Sequence, residues 1–586
     1  MEIVAQIQSI GGLRLSATIV GMPNIITRGF SRPAFEALLS QDLHPVLARV
    51  YAARGIQDQT QLKSELSSLI PFDRLKNALQ MAQILADAIA AKKRLLIIAD
   101  YDADGATACA VGMRALREFG AVVDYLVPNR FEYGYGLTPE IVLLAAQTKH
   151  PDFLITVDNG IAAVEGVAEA RRLGITTLIT DHHLPGDELP RAACIVNPNQ
   201  NGCEFPSKNL AGVGVMFYVM LALRAELRAR RAFDGRAEAN LSRLLDLVAL
   251  GTVADVVKLD HNNRILVGQG LKRMREGRAN AGIQALFRAA GRDAARASTY
   301  DLAFMLGPRL NAAGRLDDMS LGIECLISDD ALFADTAARK LDQLNRERRE
   351  IEAGMRQTAL AALERIEASD SVSLCLFDPD WHPGVVGLLA SRIKDKFHRP
   401  VIAFAPAGND QLKGSGRAIA GLHLRDALDL IAKRHPGLIL KFGGHAAAAG
   451  LTIRRSDFDK FSLAFEQTTG ELLSPADLER VIETDGELAV ADMQIELARL
   501  LEEQIWGQGF PQPSFASNFV VENQRIVGEK HLKLRLSLSG RAFDAMLFFH
   551  SDRLPEQILA VYRLAVNEYN GAQSLQLNIE HWQPAA

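Results

Sequence analysis

Asp100-Tyr101-Asp102-Ala103-Asp104-Gly105, Asp158-Asn159-Gly160 and Asp181-His182-His183 gather five carboxylates and two imidazoles into three short clusters. So many carboxylates brought together repel one another unless cations neutralise them. Oxygen and imidazole donors without a thiolate suit manganese or magnesium better than zinc. Two such ions held about 3.5–4 Å apart form a clamp that hydrolyses phosphate esters. Ions that close need a shared ligand, and Asp158 is the candidate for that bridge. Each cluster by itself has an ordinary explanation. Aspartates after strands often cap helices, and a lone DxDxDG also fits a calcium loop or a turn. The EF-hand loop is excluded, because its twelfth position, counted from Asp100, is Val111 and not Glu. The chemistry therefore depends on whether the fold brings the three clusters together.

The surrounding pattern predicts that it does. Leu95-Leu96-Ile97-Ile98-Ala99 is a short apolar run of the kind found in buried parallel strands. Strands are also expected at 122–127, 153–157, 177–180 and 194–196, with helices at 106–119, 139–147 and 161–173 between them. Helices at 43–54 and 76–91 precede this alternation, and helices at 210–230 and 240–254 close it. Strand–helix alternation implies an α/β domain with a mostly parallel sheet. In such a sheet ligands bind beyond the carboxyl ends of the strands, where all three clusters fall.

The rest of the chain divides by composition. Residues 1–42 are a lead-in without clear organisation, and 43–330 form the α/β domain. Residues 331–368, rich in Ala, Leu, Glu and Arg, read as a long connecting helix. A second α/β domain occupies 369–469, opening with Val372-Ser373-Leu374-Cys375-Leu376-Phe377. The tail, 470–586, begins helical and becomes β. There Leu532, Leu534, Leu536 and Leu538 alternate with Lys533, Arg535 and Ser537, and Tyr569-Asn570-Gly571-Ala572 signals a hairpin. A small barrel with Arg and Lys outward would suit oligonucleotides; a purely structural β domain fits the same residues.

Length and charge bound the function further. At 586 residues the chain exceeds one ordinary core, and its net charge of −5 excludes a globally basic nucleic-acid binder. Any attraction for DNA must come from a local groove and from bound cations. The apolar run Leu210–Leu223 stops at Arg224, too soon for a membrane span. The N-terminus shows no basic region of a signal peptide. Cys109, Cys194, Cys203, Cys325 and Cys375 form no CxxC pair, as expected of a thiol-bearing cytoplasmic protein.

DYDADG, VDNG and DHH, in this order and followed by Gly251-Thr252-Val253-Ala254-Asp255, resemble the four motifs of the DHH phosphoesterases. The resemblance implies a site for two divalent cations, Mn²⁺ or Mg²⁺, lined by Asp100, Asp102, Asp104, Asp158, His182 and Asp255. It implies catalytic roles for Asp102 and for His183, the latter beside the scissile phosphate. Asp181 would orient a histidine rather than touch metal. Without the resemblance Asp255 is only the end of an amphipathic helix.

Further segments resemble the RecJ-type exonucleases of that family. They are the stretch from Arg130 to Leu137 (RFEYGYGL), that from Leu306 to Arg315 (LGPRLNAAGR), and Trp506-Gly507-Gln508-Gly509-Phe510-Pro511 before the barrel. In the second domain, the stretch from Trp381 to Gly387, Gly414-Ser415-Gly416-Arg417 and Gly443-Gly444-His445 resemble the associated DHHA1-type domain. The match covers about residues 43 to 586. One departure is Ala418, where the family often has Ser, so a phosphate hydrogen bond is missing or replaced there.

The substrate residues follow from these segments. Tyr135 is either a base-stacking platform or an ordinary half-buried tyrosine. Arg130, Arg309, Asn311 and Arg315 would track the strand, although Arg309 and Arg315 suit ion pairs equally well. Gly414, Gly416, Gly443 and Gly444 let backbone approach a phosphate closely. Gly443-Gly444-His445, with Ala446–Ala449 behind it, is expected to aim helix N-terminal amides at an anion. Ser415 and Arg417 would add a hydroxyl and a two-pronged contact; tight turns and a carboxylate partner are the alternative. A terminal phosphate held there would act as a ruler for end-wise cleavage.

The resemblance thus implies a metal-dependent exonuclease that degrades single-stranded DNA from 5′ to 3′, releasing 5′-mononucleotides, in DNA repair and recombination. The polarity comes from the resemblance alone. Its partners would be single-stranded DNA, a single-strand-binding protein and a helicase, with no membrane. A DHH-family short-oligonucleotide phosphodiesterase or pyrophosphatase is the runner-up, although such enzymes need no third, β-rich domain. A catalytically inactive replication scaffold is opposed by the complete ligand set.

Overall fold

The computed structural model describes residues 22–128, 136–363, 371–569 and 571–585. The chain forms two compact units interleaved in sequence: Arg28–Asn345 with Asp485–Ala586, and Met1–Thr27 with Arg346–Thr484.

In the unit built from Arg28–Asn345 and Asp485–Ala586, a five-stranded sheet is parallel throughout. Its spatial order is Val122–Leu126, Arg94–Ala99, Phe153–Val157, Thr176–Thr180, Cys194–Val196. Leu95 to Ala99 are all buried, as a strand covered on both faces requires. Leu95, Ile97 and Ala99 share a core with helices Ala103–Glu118 and Gly212–Ala229. Leu96 and Ile98 face the opposite way, toward Pro139–Thr148 and Val164–Arg172. The winding reverses between Arg94–Ala99 and Phe153–Val157. That topological switch point is where open α/β sheets place their ligands.

Helix Ala103–Glu118 begins earlier than the expected 106 because Asp102 caps it, accepting from the Gly105 amide at 2.9 Å. The lead-in is partly organised. Helix Arg32–Leu39, with Pro33 in its first turn and Ser31 as cap, buries Leu38. Elements this short carry too little periodicity to read from sequence.

The tail closes into a barrel of Phe515–Val527, His531–Leu538, Arg541–Leu547, Ala572–Pro584 and Gln557–Tyr569. Leu532, Leu534 and Leu536 point inward, as their alternation requires. The hairpin at 569–572 joins the last two strands. This barrel shares one continuous core with the parallel-sheet region. Arg54 and Asp485, each 1% exposed at the side chain, pair through two hydrogen bonds of 2.7 and 3.0 Å. Tyr51, Trp506 and Phe510 stack with centroids 5.6–6.0 Å apart.

The unit containing Arg346–Thr484 has a mixed five-stranded sheet. Its order is Lys441–Gly444, Ala448–Arg454, Gln411–Arg417, Val401–Pro406, Leu374–Phe377. Helix Val386–Phe397 covers one face, and Leu424–Arg434 with Phe458–Leu472 cover the other. Strand Asn24–Thr27 pairs in parallel with Val481–Thr484. Ala446–Ala449 does not begin a helix. The run turns back into strand Ala448–Arg454, paired with Gln411–Arg417 and Lys441–Gly444. Ladder hydrogen bonds here outweigh the helical preference of alanine. Helix Ala331–Leu363 connects the two units along the chain.

Candidate metal centre

Each acidic cluster ends an element whose burial fixes its direction. Asp100 follows strand Arg94–Ala99, and its Oδ1 accepts from the Tyr101 amide at 2.8 Å. Asp104 lies in the first helical turn beyond Asp102 and is fully buried. Its oxygens accept from the amides of Gly212 (2.6 Å) and Val213 (2.9 Å), the first residues of helix Gly212–Ala229. The positive end of that helix favours the carboxylate. Asp158 follows strand Phe153–Val157 with a left-handed φ of 62°, a strained conformation that clusters at functional sites. Asp255 caps the C-terminus of helix Leu245–Ala254.

Three sets of potential ligand atoms lie within 4.8 Å of one another: Asp100 with Asp102 and Asp158, Asp104 with His182 and Asp255, and Asp158 with His182 and His183. His182 Nε2 is 3.0 Å from Asp158 Oδ1, 3.5 Å from Asp255 Oδ2 and 3.9 Å from Asp104 Oδ2. Asp158 Oδ1 is buried and makes no hydrogen bond despite that 3.0 Å approach. Buried polar atoms are normally hydrogen-bonded. An orphaned carboxylate oxygen facing an imidazole nitrogen, among further carboxylates, is the arrangement of a ligand set. Hard oxygen and imidazole donors of this kind fit manganese or magnesium.

Electrostatics point the same way. Burial, followed by the Asp102 charge, pushes Asp104 up to about 7. Burial and the surrounding carboxylates, Asp104 foremost, hold Asp158 and Asp255 well above the ordinary carboxylate range. Asp181 goes in the opposite direction. Burial opposes its charge, but the hydrogen bond from His183 and the nearby imidazoles hold it low. It accepts from the His182, His183 and Ile161 amides and lies 2.8 Å from His183 Nδ1. Burial resists charging His183, yet its bond to Asp181 and the adjacent carboxylates lift it to about 9.

Supporting residues escaped the sequence reading. Asn197 and Asn199 donate to the His183 and His182 carbonyls at 2.9 and 2.6 Å. A Cβ on Gly212 would sit 2.6 Å from that of Asp158, and one on Gly314 would sit 1.8 Å from the Tyr101 carbonyl oxygen. The Asn-Pro-Asn after strand Cys194–Val196 was the available signal for the asparagines.

The expected substrate residues divide. Arg130 and Tyr135 lie outside the described residues. Arg309 is buried and paired with Asp342 at 2.8 Å, which favours the ion-pair alternative over strand tracking. Asn311 Oδ1 accepts from the Ala103 amide at 2.7 Å, so it braces the Asp102–Asp104 turn. Arg315 is half-buried on the same helix, Gly307–Leu316. In the other unit Ser415, Gly450 and Gly443 are lateral neighbours on adjoining strands, and Gly443 opens onto empty space. Arg417 has no carboxylate partner among the described residues; its Nη1 donates to the Gly416 carbonyl at 2.8 Å. A Cβ on Gly387 would sit 2.9 Å from Arg417 Nη2 and 3.3 Å from Ser415 Oγ. Gly387 lies in the first turn of helix Val386–Phe397, so a hydroxyl and a guanidinium gather at a helix N-terminus. Gly444 has a φ of 143°, and the exposed His445 turns the hairpin through its amide to the Ala448 carbonyl.

Comparison with known proteins gives matches along nearly the whole chain. The DHH family N-terminal domain matches residues 94–252, the DHHA1 domain 370–471 and the RecJ OB domain 484–581. The single-stranded-DNA-specific exonuclease RecJ of Dickeya dadantii is 50% identical over 96% of this chain and 100% of its own length. That of Escherichia coli is 48% identical over 93% and 97%. The crystal structure of RecJ with Mn²⁺ from Thermus thermophilus has a TM-score of 0.80 at 28% identity, covering 96% of this chain and 79% of that one. A counterpart with Mg²⁺ from the same organism has a TM-score of 0.75 at 27% identity, covering 96% and 78%.

Proposed function

Because the chain belongs to the RecJ family of single-stranded-DNA-specific exonucleases, with a DHH domain at its head, we propose that it degrades single-stranded DNA from the 5′ end to 5′-mononucleotides in DNA repair and recombination. The observation that carries the chemistry is the meeting of Asp100, Asp102, Asp104, Asp158, His182 and Asp255 at the switch point, with Asp158 common to two of the ligand sets. Two divalent cations, Mn²⁺ or Mg²⁺, are the cofactors, and these six residues would hold them with Asp158 between. When bound, such ions generate a nucleophile from water at neutral pH and offset charge on the phosphate.

The side chains divide the remaining work. Asp181 fixes the His183 ring through Nδ1, which leaves Nε2 to donate to a phosphate oxygen as charge builds. Asp102 caps its helix with Oδ1 and so holds the first cluster in place. Ser415, Arg417 and the Gly443–His445 hairpin would receive the terminal phosphate. Arg315 would contact the strand, and Asn311 would act by bracing the metal turn.

The division we propose is a catalytic DHH domain, a connecting helix, a DHHA1-type substrate domain and an OB-like barrel that grips the strand. No helix among the described residues is long and apolar enough to cross a membrane, and none of the five cysteines is disulfide-bonded, which supports a cytoplasmic enzyme. A reaction that consumes single strands needs them unwound and presented, which favours a helicase and a single-strand-binding protein as partners. The test is a substrate panel with Mn²⁺: a linear single strand, its circular form and a blunt duplex. The linear strand alone should disappear into mononucleotides. Cutting of the circle would refute end-wise action, and equal decay of the duplex would refute strand selectivity.

A further inference from the structure

A polar cavity lies at the far ends of the two helices that carry Asp104 and Asp255. Helix Ala103–Glu118 has Asp104 in its first turn and Arg114 toward its last. Helix Leu245–Ala254 starts beside Asp246 and finishes at Asp255. The cavity has a volume of about 500 Å³ and is lined by Arg114, Arg243, Arg273, Arg278, Asn280 and Asp329, among others. Helix Ala281–Ala289, capped by Asn280, opens onto it and adds the partial positive charge of its N-terminus.

The positive charge here is only partly met. Arg114 pairs with Asp329 at 2.6 Å, and Arg278 pairs with Glu276. Arg243 and Arg273 have no carboxylate partner among the described residues. Arg273 Nη2 donates to the Arg278 carbonyl at 2.6 Å, while its Nε is buried without a hydrogen-bond partner. The buried Asp246 accepts from the Leu247 and Asn280 amides at 2.9 and 2.5 Å, and its charge also bears on Arg273. A chain of net charge −5 therefore gathers four guanidiniums at one recess that, among the described residues, a single carboxylate, Asp329, also lines. Among the described residues no aromatic side chain lines the cavity, so no ring there offers a platform for a base.

We propose that this cavity binds a small, multiply charged phosphate anion, either free polyphosphate or the triphosphate tail of a nucleotide, at a site separate from the DNA strand. Guanidinium forks match phosphate oxygens, and the volume falls within the range of small-ligand sites. With cationic side chains predominating in the lining, the phosphates carry the recognition and the base adds little.

The test is calorimetry on the full chain with Mg²⁺ in excess, first with inorganic tripolyphosphate and then with dATP, dCTP and deoxyadenosine. Each titration is run with a saturating phosphorothioate oligonucleotide that occupies the DNA path. Tripolyphosphate should still bind, and Arg243→Glu should weaken it at least about tenfold, the loss expected for a charge-assisted contact. Cleavage of a short single strand by Arg243→Glu should be unchanged. Equal binding of dATP and dCTP, matching tripolyphosphate, assigns recognition to the phosphates alone. Tighter binding of both nucleotides than of tripolyphosphate assigns it to a nucleotide tail. Loss of binding in the presence of the oligonucleotide, unaltered affinity in Arg243→Glu, or equal affinity for deoxyadenosine overturns the proposal. Arg243→Ser, a milder change at an exposed position, guards against misfolding and should weaken binding in the same direction.

Discussion

Asp158 is buried, carries a left-handed backbone and keeps an oxygen that makes no hydrogen bond. Cations would offset the buried charge and satisfy the free oxygen, and their removal has a definite pH signature. A carboxyl whose folded pKa is raised favours the protonated native state, so stability falls as pH climbs from about 4, the unfolded value, toward the folded one. Asp104 stands at about 7, with Asp158 and Asp255 also raised. His183, lifted to about 9, works in the same direction, because its contribution is complete below its unfolded value and is lost as pH rises through the folded one. The metal-free protein should therefore melt at progressively lower temperature between roughly pH 5 and pH 8. Mn²⁺ should raise the melting temperature by an amount that grows with pH, since binding displaces protons. Melting curves with chelator and with Mn²⁺ check this; a metal-free protein that gains stability across the window contradicts it. Arg417 supplies a second prediction at this scale. Losing one arginine–phosphate contact costs about 1.5–3 kcal/mol, or roughly ten- to a hundredfold in kcat/KM. Arg417→Ala should lose that much on 5′-phosphorylated strands and much less on 5′-hydroxyl ones. Equal losses on both would make Arg417 a general backbone contact. The clustered carboxylates and imidazoles were legible because each motif is contiguous in the chain. Their supports were not: the amides that anchor Asp104 come from Gly212 and Val213, more than a hundred residues away.

At the level of elements, the expected strands at 153–157 and 194–196 coincide with the observed ones, because strands buried on both faces leave nearly continuous apolar runs. What the pattern could not convey is which helix braces which loop. Gly307–Leu316 holds the metal turn from the side, through Asn311 to the Ala103 amide and through Gly314 against Tyr101. Its Asn311 and Arg309 looked like strand contacts in the sequence because polar side chains that serve the protein and those that serve a ligand are the same residue types. The geometry makes Asn311 a positioning residue. Asn311→Leu should lower kcat by about a hundredfold, the cost of a misplacement near 1 Å, with little change in KM. Asn311→Asp, which keeps the acceptor, should recover part of it. A rise in KM at constant kcat would return Asn311 to the substrate. The Ala446–Ala449 segment failed for a different reason: helical propensity is a weak prior against a ladder with partners on both sides.

On the scale of the whole molecule, the tail is not an appendage to the parallel sheet. Its barrel belongs to the same compact unit and core, so truncation near 485 would strip buried surface and leave Arg54 without Asp485. Alternation and the hairpin signal were enough to forecast a barrel, but no local pattern reveals a shared core. A point change on its surface is the cleaner probe. Phe549 is 85% exposed with a φ of 55°, and Phe548 lies beside it; both rings pack edge-on against His531. Exposed aromatics on such a barrel suit base stacking, at about 1–3 kcal/mol per base. Phe549→Ala should weaken binding of long single strands by that order and leave cleavage of tetranucleotides nearly unchanged; equal effects on both would assign the ring a structural role. The central claim, that two cations bridged by Asp158 drive end-wise hydrolysis of single strands, meets its most direct test in one titration. Metal-free wild type and Asp158→Ala are titrated with Mn²⁺ while mononucleotide release from a labelled linear single strand is followed. The wild type should be silent without metal and reach full rate at two equivalents of tightly bound Mn²⁺, whereas Asp158→Ala should stay folded, bind fewer than two and lose several orders of magnitude in turnover. Release without a divalent cation, saturation at a single equivalent, or near-normal turnover by Asp158→Ala would contradict it.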